Sequence, residues 1–128
     1  MNKEELESIL EAGESQKVEF MEGFSDKFMR EMVALANAEG GTIFLGVNDQ
    51  NEISGLDATN KLKSQIKDSA RNCDPSVEIE LEEIGSVLAA HVEEGDNKPY
   101  RCSDGFYLRQ GPNSQKLSRD EIDRKSVV

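Results

Sequence analysis

The chain has 128 residues and a formal net charge of −11, from 26 acidic and 15 basic residues. This charge argues against a protein that covers nucleic-acid phosphates with cations over its whole surface, and it leaves room only for a local basic patch. No apolar run approaches the roughly 18 residues of a membrane helix, so we expect no membrane association. The two cysteines, Cys73 and Cys102, lack metal-ligand spacing and are predicted to be reduced thiols of a cytoplasmic protein.

The first part of the chain predicts alternating helices and strands. Residues 2–13 form a helix that Asn2 caps and a glycine ends, and residues 17–21 alternate as a short strand. Residues 25–41 read as a helix with one apolar stripe, stopped by the sequence AEGG, because glycine accepts a left-handed backbone. The apolar run 42–47 is typical of a central strand covered on both faces.

A turn at residues 48–51 and a brief hairpin strand at 52–54 are predicted next. A third helix is expected to begin at Asp57 and to end before Pro75, since proline cannot continue it.

The second half predicts mainly β-structure. Residues 77–82 alternate as a strand with one solvated face, residues 87–92 pair back with them across a glycine turn, and residues 105–109 form another short strand. A capping box of Ser118 and Glu121 opens a last helix, and residues 124–128 are expected to be a frayed end. The order predicts an α/β or α+β fold, with helices packed against a mixed β-sheet in a single domain spanning residues 1–128.

Six sequence motifs occur in the order found in Schlafen AlbA-type domains. They are ESQKVEF, LANAEGGTIFLGVNDQNEISG, NCDP, KPY, FYLRQGPNS and LSRDEI. The chain resembles this family from about Glu4 to Ile122. The resemblance implies an Alba-like DNA-binding module of a bacterial or archaeal transcriptional regulator. It also implies a cytoplasmic protein whose partner is DNA or RNA, and the chain is expected to be the N-terminal part of a longer regulator.

The resemblance also suggests a second function. The animal Schlafens resemble an RNA-cleaving nuclease with three acidic residues, and these match Glu14, Glu19 and Asp49. Such a site would make those residues both catalytic and ligands of Mg²⁺ or Mn²⁺, which take carboxylates and keep several waters. The chain departs from the family at Met21, where lysine is usual, so a cation is missing beside the cluster.

The acidic trio has an ordinary structural interpretation as well. Two unit charges about 5 Å apart repel by roughly 3 kcal/mol at an effective dielectric near 20, so three carboxylates gather only around a cation or a shared proton. Asp49 also suits a turn and Glu19 a solvated strand face. The residues therefore favour a non-catalytic domain that needs no cofactor, and leave the nuclease with Mg²⁺ or Mn²⁺ as the alternative.

Nucleic-acid contact is predicted at the late hairpin, where aromatic and basic residues interleave and could stack bases and pair phosphates. The predicted contact residues are Lys17, Lys98, Arg101, Arg109, Asn113 and Lys116. Strand alternation places Phe106 in the core and Tyr107 with Arg109 on the opposite face. A third hypothesis is a protein-interaction module or homo-oligomer, which the acidic charge favours.

Overall fold

A computed structural model of the chain describes residues 1–126, with side chains through Asp123. The helices are α1 (Lys3–Ala12), α2 (Asp26–Asn37), α3 (Asn60–Arg71) and α4 (Arg119–Ser126). The strands are β1 (Val18–Met21), β2 (Gly41–Leu45), β3 (Ile79–Ile84), β4 (Val87–Val92), β5 (Arg101–Cys102), β6 (Gly105–Gln110) and β7 (Asn113–Lys116). The frayed end predicted for residues 124–128 lies outside the described residues at its last two positions.

Four strands form a mixed sheet, here called the first sheet, in the order β1-β2-β4-β3. β1 and β2 are parallel, with Val18 opposite Thr42 and Phe20 opposite Phe44, and the other two pairings are antiparallel. The sequence prediction of a mixed sheet flanked by helices is confirmed.

Helices cover both faces of the first sheet. α1 contributes Leu6 to a buried cluster with Phe20 and Phe44, whose rings meet edge to face at 6.1 Å between centroids. α2 and α3 pack on the opposite face and bury a larger cluster. The apolar run of β2 is therefore buried on both sides, as its lack of alternation predicts.

Three strands form a second sheet in the order β5-β6-β7, and it packs on the side of α2 that faces away from the first sheet. α2 is consequently buried over seven consecutive residues, from Glu31 to Asn37. The sequence predicted a single apolar stripe, because a second covering layer cannot be read from one helix alone. β7 was not predicted, since its sequence NSQK carries no apolar alternation.

Two predicted boundaries need correction. α3 begins at Asn60, because the Thr59 hydroxyl accepts from the Leu62 N–H at 3.1 Å and caps the helix, so the predicted start at Asp57 was wrong. The predicted strand at 52–54 is only an isolated bridge between Val47 and Ile53.

None of the helices within residues 1–126 combines the length and the apolar character needed to cross a bilayer.

Candidate nucleic-acid interface

The first two residues of the predicted acidic trio lie side by side before and within β1. Ser15 and Val18 form an isolated antiparallel bridge, so the chain turns sharply between Glu14 and Glu19. The Phe20 N–H donates to Glu14 Oε2 at 3.0 Å and to Glu19 Oε2 at 3.1 Å. The structure thus brings these two carboxylates together, with Glu14 exposed and Glu19 buried.

Asp49 does not form a metal-ligand group with Glu14 and Glu19. It lies in an exposed turn, where the Asn48 side chain accepts from the Gln50 and Glu52 N–H groups at 2.9 and 3.0 Å. Among the residues whose side chains are described, no three or more His, Cys, Asp and Glu residues are arranged to hold a metal ion.

The partner of Glu19 is Arg109, whose side chain has no exposed surface. Arg109 Nη1 donates to Glu19 Oε1 at 2.8 Å, to Glu31 Oε2 at 2.9 Å and to the Ser114 hydroxyl at 3.1 Å. β1, α2, β6 and β7 therefore meet at one guanidinium. We call Arg109, Glu19, Glu31 and Ser114 the buried ionic cluster.

The remaining Arg109 donors hold the backbone just before β1 and at its first residue. Nη2 donates to the Ser15 carbonyl at 2.9 Å and to the Val18 carbonyl at 2.7 Å, and Nε reaches the Ser15 carbonyl at 3.3 Å. Both carbonyls also accept backbone hydrogen bonds across the Ser15–Val18 bridge, from the Val18 N–H at 3.3 Å and from the Ser15 N–H at 3.0 Å, so Arg109 reinforces that bridge. The structure therefore places Arg109 in the interior, and not on the surface where a phosphate contact was predicted.

The same contacts decide whether Glu14 and Glu19 fit Mg²⁺ or Mn²⁺. Both Glu19 oxygens are engaged, one by Arg109 and one by the Phe20 N–H, and the side chain is only 4% exposed. Mg²⁺ usually keeps several waters in its coordination shell, and a buried, arginine-bound carboxylate leaves no room for them. The described residues therefore do not fit the predicted metal, and no observation favours the nuclease alternative.

Glu31 was missed by the sequence analysis. Its position gave a signal, because it lies three residues after Phe28 and four before Leu35, on the apolar stripe of α2. A carboxylate at such a position requires a buried partner, either a cation or a hydrogen-bond donor.

Burial raises the pKa of Glu31 above its ordinary value of 4.5, and the negative charge of Glu19 acts in the same direction. The Ser114 hydroxyl, which donates a hydrogen bond to Glu31 Oε2, and the Arg109 cation oppose this shift. Two carboxylates thus share one guanidinium in a desolvated place, and the raised pKa follows from that imbalance.

The other predicted contact residues remain at the surface. Lys17 lies 3.8 Å from Glu39, and Arg101 Nε lies 3.8 Å from Asp74, and both basic side chains are more than half exposed. Lys98 Nζ donates to Glu94 at 2.7 Å and to the Ala38 carbonyl at 2.9 Å.

Asn113 and Lys116 are exposed on β7, the edge strand of the second sheet, and Arg101 is exposed on β5. The second sheet therefore carries three of the six predicted contacts. Asn113 lies opposite Gln110 and Lys116 opposite Tyr107, so these two side chains leave opposite faces of β7.

The second sheet has one face toward α2 and one away from it. Tyr107 and Arg109 point inward, since Tyr107 packs against the larger core cluster and Arg109 is buried. Phe106 and Leu108 alternate with them and point outward, and both are half-buried. The prediction that Phe106 belongs to the core was wrong in this respect, because α2 covers the opposite face of β6.

Charge is unevenly distributed along the chain. Residues 97–119, which span the loop before β5, the second sheet and the start of α4, carry five of the 15 basic residues and one of the 26 acidic residues. Arg109 is neutralised in the interior, while Lys98, Arg101, Lys116 and Arg119 remain exposed. The second sheet thus has a locally basic surface on a strongly acidic protein.

This fold and these motifs match a known family. The family model for Schlafen, AlbA_2 matches residues 14–118, and the chain belongs to that family. The search of curated protein sequences found no match.

Several solved structures share the fold. The DIP2311 protein of Corynebacterium diphtheriae aligns with a TM-score of 0.63 at 21% identity, over 94% of this chain and 27% of that one. The N-terminal domain of a putative ATP-dependent DNA helicase RecG-related protein from Nitrosomonas europaea aligns with a TM-score of 0.61 at 24% identity, over 92% of this chain and 94% of that domain. This chain therefore spans about a quarter of the length of the Corynebacterium protein.

Proposed function

We propose that this chain is a nucleic-acid-binding module of a cytoplasmic transcriptional regulator, and that it contacts phosphates through the basic surface of the second sheet. The observation that carries the proposal is the concentration of exposed cations at residues 97–119 on an otherwise acidic molecule. Membership in the Schlafen AlbA_2 family supports it, and so does the shared fold with a domain of a protein named for its relation to the DNA helicase RecG.

The charge distribution predicts a weak and salt-sensitive interaction. Arg101, Lys116 and Arg119 can each neutralise one phosphate, and Lys98 can join them if it leaves Glu94. Each phosphate contact contributes a slope of about −0.7 to −0.9 to a plot of log affinity against log salt concentration. Three contacts therefore predict a slope of about −2 to −3, and the acidic remainder of the surface repels the rest of the polymer.

A fluorescence-anisotropy titration against labelled duplex and single-stranded oligonucleotides at low salt tests the proposal. The informative variant is Arg101→Gln with Lys116→Gln, and its matched control is Lys61→Gln with Lys67→Gln. Both control residues are exposed on α3, so the two double variants change the net charge equally. We expect the first variant to bind at least about tenfold more weakly, with a salt slope smaller by about 2, and the control to bind as the parent does.

Equal effects of the two double variants would show that only net charge matters and that the second sheet is not the contact surface. Absence of binding by the parent chain to every oligonucleotide at high micromolar protein would overturn the proposed function itself.

A further inference from the structure

The outward face of the second sheet combines apolar and cationic side chains in a fixed arrangement. Arg101 on β5 lies directly opposite Phe106 on β6, so the two side chains share that face. Leu108 lies opposite Gln115, and Gln110 lies opposite Asn113, on the same outward face of the β6–β7 hairpin. A ring, an aliphatic side chain, a guanidinium and three amides are thus arrayed on one surface.

These apolar residues do not serve the described core. Neither Phe106 nor Leu108 belongs to the two buried hydrophobic clusters, whereas their inward-facing neighbours Tyr107 and Cys102 contact or belong to the larger one. Arg101 is 57% exposed, and the acidic group beside it, Asp74, is itself 79% exposed at 3.8 Å, so that pair contributes little and can exchange partners. The face therefore has an exchangeable cation beside a ring that keeps some exposed surface.

We propose that this face binds single-stranded nucleic acid, with a base stacked on Phe106 and the adjacent phosphate paired with Arg101. This inference rests on the proposed function and names its substrate. An unpaired base offers a face to an aromatic ring, while the bases of a duplex are already stacked on one another. The amides of Gln110, Asn113 and Gln115 can donate to and accept from base edges, which a duplex exposes only within its grooves.

The small number of cations also favours a single strand. A duplex presents two phosphate chains, and its binding depends mainly on many ionic contacts, which this acidic chain cannot supply. Stacking adds affinity that does not depend on released counterions. Phe106 and Arg101 together therefore favour a single-stranded nucleic acid. An acidic peptide could pair with Arg101 but has no base to stack on Phe106.

The first test exploits the absence of tryptophan from the chain. In Phe106→Trp the new indole is the only one, and stacking of a base on it quenches its fluorescence. We expect saturable quenching with an oligothymidylate of about twelve nucleotides, a length within the range of known single-strand sites. The same oligonucleotide in duplex form, and a polyglutamate of equal charge, should quench far less.

The second test separates stacking from charge by a pair of matched variants. Phe106→Leu removes the ring and keeps an apolar side chain, and Phe24→Leu makes the same change at a half-buried ring that packs beside Phe28. We expect Phe106→Leu to weaken binding of the single strand about five- to tenfold without altering the salt slope. Phe24→Leu should bind normally, and Arg101→Gln should reduce the salt slope by about 1.

The outcomes distinguish this inference from the function on which it rests. If the single strand binds but the indole fluorescence of Phe106→Trp is unchanged and Phe106→Leu binds as the parent does, then stacking is wrong and nucleic-acid binding stands. Tighter binding of the duplex, or equal quenching by polyglutamate, would also overturn the single-strand assignment. If no oligonucleotide binds at all, the proposed function fails with it.

Discussion

Arg109 has a structural role, because its guanidinium is buried between two carboxylates. It lies between Glu19 and Glu31 with no exposed side-chain surface, and its other donors reach two backbone carbonyls. Removing one partner of such a buried ion pair typically costs about 3–5 kcal/mol, because the other charge stays buried without compensation. Arg109 is thus a structural centre that joins the second sheet to β1 and α2.

The contribution of the guanidinium N–H donors of Arg109 to stability can be tested with a substitution that keeps the positive charge and removes most of these donors. Lysine at this position can pair with a carboxylate but cannot also reach the Ser15 and Val18 carbonyls. We expect Arg109→Lys to lower the free energy of unfolding by about 2 kcal/mol, or about 1 kcal/mol for each lost hydrogen bond, in urea denaturation followed by circular dichroism. The matched control Arg101→Lys, at an exposed site, should change it by less than about 0.5 kcal/mol. Similar values for the two variants would contradict the buried role of Arg109.

Glu31 predicts a pH dependence whose sign is fixed by its raised pKa. The native state holds this proton more tightly than the unfolded state, so unfolding releases it and the contribution of Glu31 to stability falls as pH rises. The free energy of unfolding of the parent chain, relative to that of Glu31→Gln, should therefore be greatest below pH 4.5, the ordinary pKa of a glutamate. It should then lose that advantage as pH rises toward the folded pKa, and level off above it.

Urea denaturation at a series of pH values measures this difference. Glu80→Gln, at an exposed position on β3, is the control for the loss of one carboxylate charge. A difference between the parent chain and Glu31→Gln that grows with rising pH would show that the pKa of Glu31 is lowered, not raised.

At the scale of elements, α2 is the shared layer of the fold. Its last residue, Asn37, is buried and donates through Nδ2 to the Tyr100 carbonyl at 2.9 Å and to the Tyr107 carbonyl at 2.8 Å. Its Oδ1 accepts from the Tyr100 N–H at 2.6 Å. One amide therefore satisfies backbone groups on two segments of the second half of the chain and holds them against the helix.

Asn37→Ala is expected to leave those three backbone groups without their partner. Each unsatisfied buried group costs about 1–3 kcal/mol, and partial rescue by water gives an expected loss of about 3 kcal/mol in the free energy of unfolding, measured by urea denaturation. Asn60→Ala, at the exposed start of α3, serves as the matched control and should cost little. A loss below about 1 kcal/mol for Asn37→Ala would mean that the backbone groups find other partners easily.

At the scale of the whole molecule, the two sheets share α2 and the buried ionic cluster. Neither sheet can lose its contact with α2 without exposing apolar residues or uncovering the Glu19 and Glu31 carboxylates. Such coupling favours one cooperative transition on unfolding.

The location of the tyrosines allows this cooperativity to be measured. The chain has two tyrosines and no tryptophan, and both Tyr100 and Tyr107 lie at the second sheet. Tyrosine fluorescence therefore reports on that sheet, while far-ultraviolet circular dichroism reports on all helices and strands. We expect the two urea transitions to coincide. A tyrosine transition at clearly lower urea than the circular-dichroism transition would show that the second sheet unfolds by itself.

Most of the elements followed from local chemistry in the sequence. Asn2 and Ser118 cap helices through contacts within a few residues. The apolar run of β2 and the polar–apolar alternation before the glycine turn likewise specify strands from local sequence. Errors arose where the structure depends on a distant segment, as with the edge strand β7 and the outward orientation of the Phe106 side chain.

The sequence by itself determined most of the elements, the family and the excess of acidic residues, because these depend on composition and short-range pattern. Only the tertiary structure decided which charges are available. It joined Arg109 to Glu19 and Glu31 across separations of 90 and 78 residues, and so removed a predicted phosphate contact and a predicted metal ligand from the surface. It also turned Phe106 outward, because α2 covers the other face of β6. The physical reason is that burial and pairing depend on contacts between distant segments, which no local pattern records.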